Sequence, residues 1–222
     1  MLELRFWEIA KKYLFPPKCV FCRRVLEEDG VCDKCKAALP YRNPEEEKET
    51  PMFIDGVYSC FHYEGDVRNA ILRYKFGGLS KYSVDFSEYL EKCIRNNFEG
   101  GYDLISWVPL SRRRLRKRGY DQARLLAEET ALRLGTTAVR TLVKNRDSAP
   151  QSRQQDAAQR VANVLGAYGI ATSDVQNKRI ILLDDVFTTG STVSECARVL
   201  KTAGASEIYV VTLAKTRSRK KN

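Results

Sequence analysis

The chain has 222 residues, 43% of them hydrophobic, and a formal net charge of +10 at pH 7. This composition is ordinary for a folded globular protein, and the absence of any run of 18 uncharged apolar residues excludes a membrane span and a signal-peptide core. A cytoplasmic location is therefore expected. Residues 103–222 contain 22 Lys and Arg against 11 Asp and Glu, and so carry the whole positive excess. Such an excess of positive charge attracts the phosphates of a nucleotide, a nucleic acid or an anionic membrane. The alternative is a basic surface that is only solvated by water and binds no partner.

The first predicted element is an amphipathic helix. Its apolar face consists of Leu2, Phe6, Ile9 and Tyr13, and prolines at 16–17 end it. We expect this face to pack against the rest of the chain. Peripheral contact with the inner face of the membrane, or with a partner, is the alternative.

A four-cysteine module follows. It consists of two CxxC pairs, Cys19 with Cys22 and Cys32 with Cys35. Four converging thiolates suit a tetrahedral zinc ion, and an iron centre of rubredoxin type is the chemical alternative. Because the segment is too short for a core of its own, the zinc is expected to be structural, and its removal to unfold residues 1–50 without unfolding the rest.

The acidic, proline-flanked stretch YRNPEEEKETP reads as a linker. The predicted domains are therefore 1–50, with the helix, the four-cysteine module and this linker, and 51–222. The second domain alternates strands and helices. The strands are GVYSCFHY, DLISWVPL, RIILLDD and EIYVVTLA, and the helices are DVRNAILRYKFGG, VDFSEYLEKCIRNNF, QARLLAEETALRLG and STVSECARVLKTAG. This order predicts a parallel α/β sheet with right-handed crossovers.

The stretch RIILLDDVFTTGST combines a strand, two acids and a hydroxyl-rich glycine loop. Ligands of open α/β sheets bind at the carboxyl ends of the strands, which is where Asp184 and Asp185 fall. Gly190 allows the N–H groups before the next helix to turn toward a phosphate. The carboxylates would then accept hydrogen bonds from sugar hydroxyls or approach Mg²⁺. A phosphorylated ribose fits both halves, and a tight turn without a ligand is the alternative.

These residues resemble the signature of type I phosphoribosyltransferases, which bind phosphoribosyl pyrophosphate (PRPP). The resemblance implies that Asp184 and Asp185, as the catalytic pair, hold the ribose hydroxyls. It also implies that the 5′-phosphate is bound by Thr188, Thr189, Gly190, Ser191 and Thr192.

A second anion site is predicted after DLISWVPL. Beyond Pro109, six of seven residues are cations: Arg112, Arg113, Arg114, Arg116, Lys117 and Arg118. Transferases of this class place a pyrophosphate turn and a mobile basic loop here, which implies that these residues clamp the leaving group. Binding of a nucleic-acid backbone and a solvated charge run are the alternatives.

Several segments together resemble the ComF (ComFC) competence family, nearly from end to end. They are FPPKCVFC, CDKCKAALP, LRYKFGG, VPLSRRRLRKRGYDQARLLA, APQSRQQDAAQRVANVLGAY and the PRPP loop. The resemblance implies an open parallel sheet of type I phosphoribosyltransferase kind with a small zinc-ribbon-like module at its N-terminus. It adds Lys75 and Arg160 as candidate site residues. Trp107 and Asp121 depart from the family's frequent Pro and Asn.

The resemblance implies a role in natural transformation, in which the protein handles incoming single-stranded DNA beside a helicase partner. The basic tail KTRSRKK could add contacts with the DNA backbone. A phosphoribosyltransferase of nucleotide salvage or synthesis with a structural zinc module is the alternative function. No acceptor pocket can be identified, and His62 is expected to be a core histidine rather than a general base. Whether PRPP is turned over stays open from the sequence.

Overall fold

The computed structural model of the protein describes residues 16–43, 50–146, 165–172 and 174–217. The predicted helix over residues 2–13, the core of the acidic linker, Arg160 and residues 218–221 of the basic tail lie outside these ranges. Within them, no helix combines the length and the apolarity that crossing a bilayer would require.

The described ranges contain strands and helices in the predicted alternation. In chain order they are α1 (Asp33–Ala38), β1 (Gly56–His62), α2 (Gly65–Phe76), α3 (Tyr82–Asn97), β2 (Leu104–Trp107), α4 (Arg112–Arg118), α5 (Gln122–Arg133), β3 (Leu142–Lys144), β4 (Tyr168–Ile170), β5 (Arg179–Phe187), α6 (Ser191–Thr202) and β6 (Glu207–Lys215). The four strands and four helices predicted for the second domain are confirmed, and no end differs by more than three residues.

The main sheet has the strand order β1-β6-β5-β2, and each neighbouring pair is parallel. β5 is central, and its four apolar residues at 180–183 are fully buried. A parallel strand that is covered on both faces needs such a continuous apolar run. α2, α3 and α5 cover one face of the sheet and α6 covers the other. The predicted parallel α/β architecture is therefore confirmed.

A short antiparallel pair, β3 with β4, was not predicted. Each strand has three residues, and a segment of this length is too short to show a period of two in its hydrophobicity. The pairing of Lys144 with Tyr168 brings both residues to the carboxyl edge of the main sheet.

The prediction of a loop in the basic segment is wrong, because residues 112–118 form the helix α4. The Ser111 side chain caps its N-terminus by accepting a hydrogen bond from the Arg114 N–H, and Gly119 ends it in the left-handed conformation at φ 82°. Arg, Lys and Leu are good helix formers, and cations in the last turn interact favourably with the helix dipole. Repulsion between the cations does not outweigh these terms.

Candidate functional site

A cavity of about 280 Å³ opens at the carboxyl edge of the sheet, beyond the ends of β2 and β5. Nine residues proposed from the sequence line it: Lys75, Pro109, Arg114, Arg118, Asp184, Asp185, Thr188, Thr189 and Thr192. Its wall also contains Tyr63, Gln122, Lys144 and Tyr168, which sequence reasoning missed. The volume is close to the lower end of the range for small-molecule pockets, about 300–1,000 Å³. His62 is not part of this wall.

The two acids occupy different environments at the end of β5. Asp185 is buried, and its Oδ1 lies 2.7 Å from Nζ of Lys75 on α2. Burial and the Asp185 carboxylate raise the pKa of Asp184 to about 7, against the opposing effect of the Lys75 charge, although Asp184 keeps part of its surface open to the cavity. Asp184 is therefore poised to gain or lose a proton near neutral pH.

The loop from β5 to α6 depends on Gly190. Its φ is +77°, and a Cβ there would lie 2.9 Å from both a Phe187 ring carbon and a Pro51 carbon. Gly190 is the N-cap of α6 and contributes no side-chain hydrogen bond, so the first N–H groups of the helix receive no cap from this residue. Such a helix N-terminus is suited to an anion. Thr188 and Thr189 are exposed and line the cavity, whereas Gly190 is buried and, like Ser191, is not part of the wall.

The helix α4 divides its cations between two cavities. Arg114 and Arg118 are four residues apart, share a helical face and line the 280 Å³ cavity. Arg118 is held in place, because its Nη1 donates to Gln122 Oε1 at 2.9 Å and its guanidinium lies 4.8 Å from the Phe76 ring centroid. The remaining predicted arginines, 112, 113 and 116, do not line this cavity.

Those three arginines line a neighbouring cavity of about 970 Å³. Further cations in its wall are Arg124, Arg140, Lys144 and Arg146, and its aromatic residues are Trp107 and Tyr120. The wall also contains the acids Asp121 and Glu128. Pro109, Leu110 and Lys144 belong to the walls of both cavities, so the two spaces adjoin. A groove with this many cations suits a flexible polyanion.

Asp121, one of the two departures from the family pattern, holds the turn after β2. One carboxylate oxygen accepts from the Leu110 N–H at 2.9 Å, and the other accepts from the Arg124 N–H at 3.2 Å and caps α5. Burial raises the pKa of Asp121, and these N–H donors oppose that effect. Because the Leu110 N–H is already bonded to Asp121, this amide is not available to an anion, and the arginines are the groups beside the turn that could bind one.

The four predicted metal ligands converge. The sulfurs of Cys19, Cys22, Cys32 and Cys35 all lie within 4.8 Å of one another, and the Cys22 and Cys32 sulfurs are 3.6 Å apart. Tetrahedral zinc with bonds of about 2.3 Å separates its sulfur ligands by roughly 3.8 Å, so the four residues fit one ion. Burial opposes ionisation of Cys19, but N–H groups of Cys32, Cys22 and Phe21 lower its pKa to about 7. Such a sulfur is readily available as a thiolate ligand.

Comparison with known proteins gives a match to the phosphoribosyl transferase domain over residues 121–222. Competence protein F of Haemophilus influenzae is 28% identical over 206 residues, which cover 89% of this chain and 90% of that protein. Competence protein ComFC of Bacillus subtilis is 24% identical over 89% of this chain and 78% of its own length. The DNA utilization protein YhgH of Salmonella typhi is 36% identical over about half of each chain.

Among solved structures, the B. subtilis glutamine PRPP amidotransferase complexed with ADP and GMP is 21% identical over 64% of this chain, with a TM-score of 0.43. The present chain spans 30% of that protein. The domain match and the parallel sheet show that the larger part of the chain has the type I phosphoribosyltransferase fold. Proteins named competence protein F and ComFC align with most of its length, and a four-cysteine cluster precedes this fold, so the chain is similar to the ComF/ComFC competence proteins over most of its length.

Proposed function

We propose that this protein is a ComF-type DNA-uptake protein whose 280 Å³ cavity binds PRPP, or a similar phosphoribosyl ligand, together with Mg²⁺. The observation that carries the proposal is convergence: an acid pair, a helix N-terminus with hydroxyls and two arginines meet in one space. No single one of these features specifies a ligand. Together they match the hydroxyls, the 5′-phosphate and the pyrophosphate of one molecule.

Each part of the ligand has its own group of residues. Asp184 and Asp185 accept hydrogen bonds from the ribose hydroxyls, and residues 188–192 surround the 5′-phosphate. Arg114 and Arg118 face the pyrophosphate. Mg²⁺, bound to pyrophosphate oxygens near the acids, would neutralise part of the ligand's charge.

Titration calorimetry with PRPP and Mg²⁺ tests this proposal. Micromolar binding that is lost when pyrophosphate or the 5′-phosphate is missing from the ligand would support it. Equal binding of inorganic phosphate alone would contradict a site built for a whole phosphoribosyl group. Arg160, which lies outside the described residues, stays a candidate contact.

Turnover of PRPP is a second candidate function. The 970 Å³ cavity adjoins the sugar-phosphate cavity at Pro109, Leu110 and Lys144, and so offers space for an acceptor beside the ribose. Pyrophosphate release is measured with a panel of bases, amines and single-stranded DNA. Rapid release with a free base would favour nucleotide salvage or synthesis over a binding role.

Single-stranded DNA binds, in this proposal, along the 970 Å³ cavity rather than at the acid pair. Replacing Arg112, Arg113 and Arg116 by Gln should weaken DNA binding and reduce the slope of log K against log salt by about 2, since each phosphate contact on a single strand contributes about 0.7. Filter binding or fluorescence anisotropy at several salt concentrations measures both quantities. PRPP affinity should change little, because these side chains lie outside the smaller cavity.

The matched control removes three exposed cations from the region of α3. Lys81, Lys92 and Arg95 form surface ion pairs with side chains 57–64% exposed, so their replacement by Gln should leave the fold intact. If both triple variants lowered the salt slope equally, the DNA would be bound by net charge and not by this groove.

The affinity for PRPP should also depend on pH through Asp184. Its pKa of about 7 is raised above the ordinary value, so the acceptor form is present above pH 7 and is lost as the pH falls. From pH 8 to pH 6 the ionised fraction, and hence the affinity, should drop by roughly tenfold. Calorimetry over this range measures the slope. In the Asp184→Asn variant, the affinity should depend on pH only through ionisation of the ligand's own phosphates. If its affinity changed with pH as steeply as that of wild type, Asp184 would be excluded as the titrating group.

Zinc is the metal proposed for the four cysteines, because four cysteine sulfurs that lie within 4.8 Å of one another suit tetrahedral zinc. Elemental analysis of the purified protein distinguishes it from iron. A helicase partner and a cytoplasmic location, which the family resemblance implies, stay predictions.

A further inference from the structure

The last turn of α2 lies between the four-cysteine module and the acid pair. Arg73, Tyr74 and Lys75 are consecutive in this turn, and each makes a contact with a different part of the protein. Because adjacent residues of a helix point in different directions, one turn can connect surfaces that do not touch each other.

Arg73 holds the first cysteine pair. Its Nη2 donates to the backbone oxygens of Val20 at 2.8 Å and Phe21 at 2.6 Å. Val20 and Phe21 are the two residues between Cys19 and Cys22, and both are buried. The Arg73 Nε is also buried, and it has no hydrogen-bond partner in the part of the chain that the structure describes. The position of this guanidinium therefore depends on the two carbonyls of the cysteine pair.

Tyr74 and its neighbours fix the other side of the turn. The buried Tyr74 hydroxyl donates to the Gln122 carbonyl at 2.9 Å, and the Tyr120 hydroxyl donates to the Tyr74 carbonyl. Gln122 in turn donates to the Lys75 carbonyl at 3.4 Å. These bonds connect the turn to the start of α5, so the turn cannot be displaced without breaking or moving these hydrogen bonds.

Lys75 extends from the same turn to Asp185. The two side chains are 18% and 10% exposed, and the Nζ–Oδ1 distance is 2.7 Å. A largely buried ion pair is stabilising only when its charged groups are in close contact. If Lys75 and Asp185 separate, each is left as a poorly solvated charge. Asp185 would then face Asp184 without its close ion-pair partner, Lys75.

We infer that Arg73 is a positioning residue that makes the four-cysteine module part of the sugar-phosphate site, by fixing the turn that places Lys75 against Asp185. The inference rests on the proposed function, and it adds a dependence of ligand binding on a metal that does not touch the ligand. When the cysteine pair loses its metal, its carbonyls no longer have a fixed position. Arg73, the turn and Lys75 then shift together, and the acid pair loses its arrangement for the ribose hydroxyls.

The test compares Arg73→Gln with Arg73→Lys and with Lys81→Gln in the full-length protein. Lys81 is the matched control, since it also joins the main domain to the module, through an exposed ion pair with Asp29 at 3.1 Å, but lies outside α2. Metal content, PRPP affinity in Mg²⁺ and hydrogen exchange of amides 73–77 and 184–187 are measured for each. Arg73→Gln should keep its metal, bind PRPP about tenfold more weakly and exchange faster at both segments, as expected for loss of a charged hydrogen bond.

Arg73→Lys keeps the charge and one donor, and should recover part of the affinity. Lys81→Gln should match wild type in all three measurements. In a Lys75→Met background, Arg73→Gln should have little further effect on affinity, because the two residues act in series. Wild-type protein is also treated with a chelator, which is then removed before Mg²⁺ is restored. This metal-free wild type should resemble Arg73→Gln in PRPP affinity and hydrogen exchange. It provides the test if Arg73→Gln does not fold.

A metal-loaded Arg73→Gln protein, or a metal-free wild type, whose PRPP affinity is within twofold of the untreated wild type would overturn the inference. Failure of the proposed function has a different signature: the untreated wild type would not bind PRPP. Hydrogen exchange, which needs no ligand, then decides whether the module positions the acid pair. Unchanged exchange at 184–187 after metal removal would show that it does not.

Discussion

The double variant Asp184→Asn/Asp185→Asn is expected to bind PRPP at least a hundredfold more weakly than wild type. Each substitution removes a hydrogen bond to a charged acceptor, worth about 1.5–3 kcal/mol, and together they exceed the roughly 2.8 kcal/mol that corresponds to a hundredfold. Titration calorimetry at pH 8, above the pKa of Asp184, gives the comparison.

Stability separates a ligand-binding role of these acids from a structural one. Because the pKa of Asp184 is raised in the folded protein, ionisation opposes folding, and the free energy of unfolding falls as the pH rises from about 4 toward 7. Asp184→Asn alone should therefore be more stable than wild type at pH 8, by about 1 kcal/mol after allowance for partial exposure, while its affinity falls. Gain of stability with loss of binding is typical of a functional site.

Asp103 provides the matched control. It accepts from the Arg179 N–H at 2.7 Å, at the start rather than the end of β5. Asp103→Asn should leave PRPP affinity unchanged. If it weakened binding as much as the double variant did, general electrostatics would explain the result and the acid pair would lose its special role.

The loop after β5 could be placed from the sequence because its signals are local. A buried apolar run, two acids and a glycine specify a strand, its edge and a turn within fourteen residues. Gly190 has the positive φ that the pattern requires. Tyr168 of β4 could not be placed in the site from the sequence in this way. Its position depends on the pairing of β4 with β3, and both strands are too short to show a periodic pattern of hydrophobicity.

The division of the basic segment could have been predicted. Ser111 is a preferred N-cap, Gly119 is a preferred terminator, and the residues between them favour helix. A helix puts Arg114 and Arg118 on one face and directs the other arginines elsewhere. The density of positive charge over residues 112–118 suggested that all of these cations bind one anion. In the structure, the helix presents them to two adjoining cavities.

The contact between the four-cysteine module and the sheet domain was not visible in the sequence. An apolar residue within a short metal-binding segment shows no periodicity that identifies its neighbours. In the structure, Phe21 is 1% exposed, and its ring centroid lies 5.7 Å from that of Phe61 and 5.9 Å from those of Phe86 and Tyr89. The module thus contributes to the core that covers one face of the sheet. The domain boundary near residue 50 stays a prediction.

Phe21→Ala should consequently destabilise the sheet domain as well as the module. Removal of a buried phenylalanine costs about 3–5 kcal/mol, and the aromatic contacts with β1 and α3 are lost with it. Urea unfolding followed by far-UV circular dichroism should show a single transition with a lower midpoint. Leu132→Ala, at a position 72% exposed, should change the free energy of unfolding by less than about 0.5 kcal/mol.

Metal removal from wild type should act on the same transition, because the residues between Cys19 and Cys22 belong to this shared core. The outcome decides between two arrangements of the chain. Two separate transitions in Phe21→Ala, with the later one at the wild-type midpoint, would mean that the module unfolds alone and that the sheet domain is complete without it. One common transition, with a midpoint that falls when the metal is removed from wild type, would mean that the metal stabilises the domain that contains the acid pair.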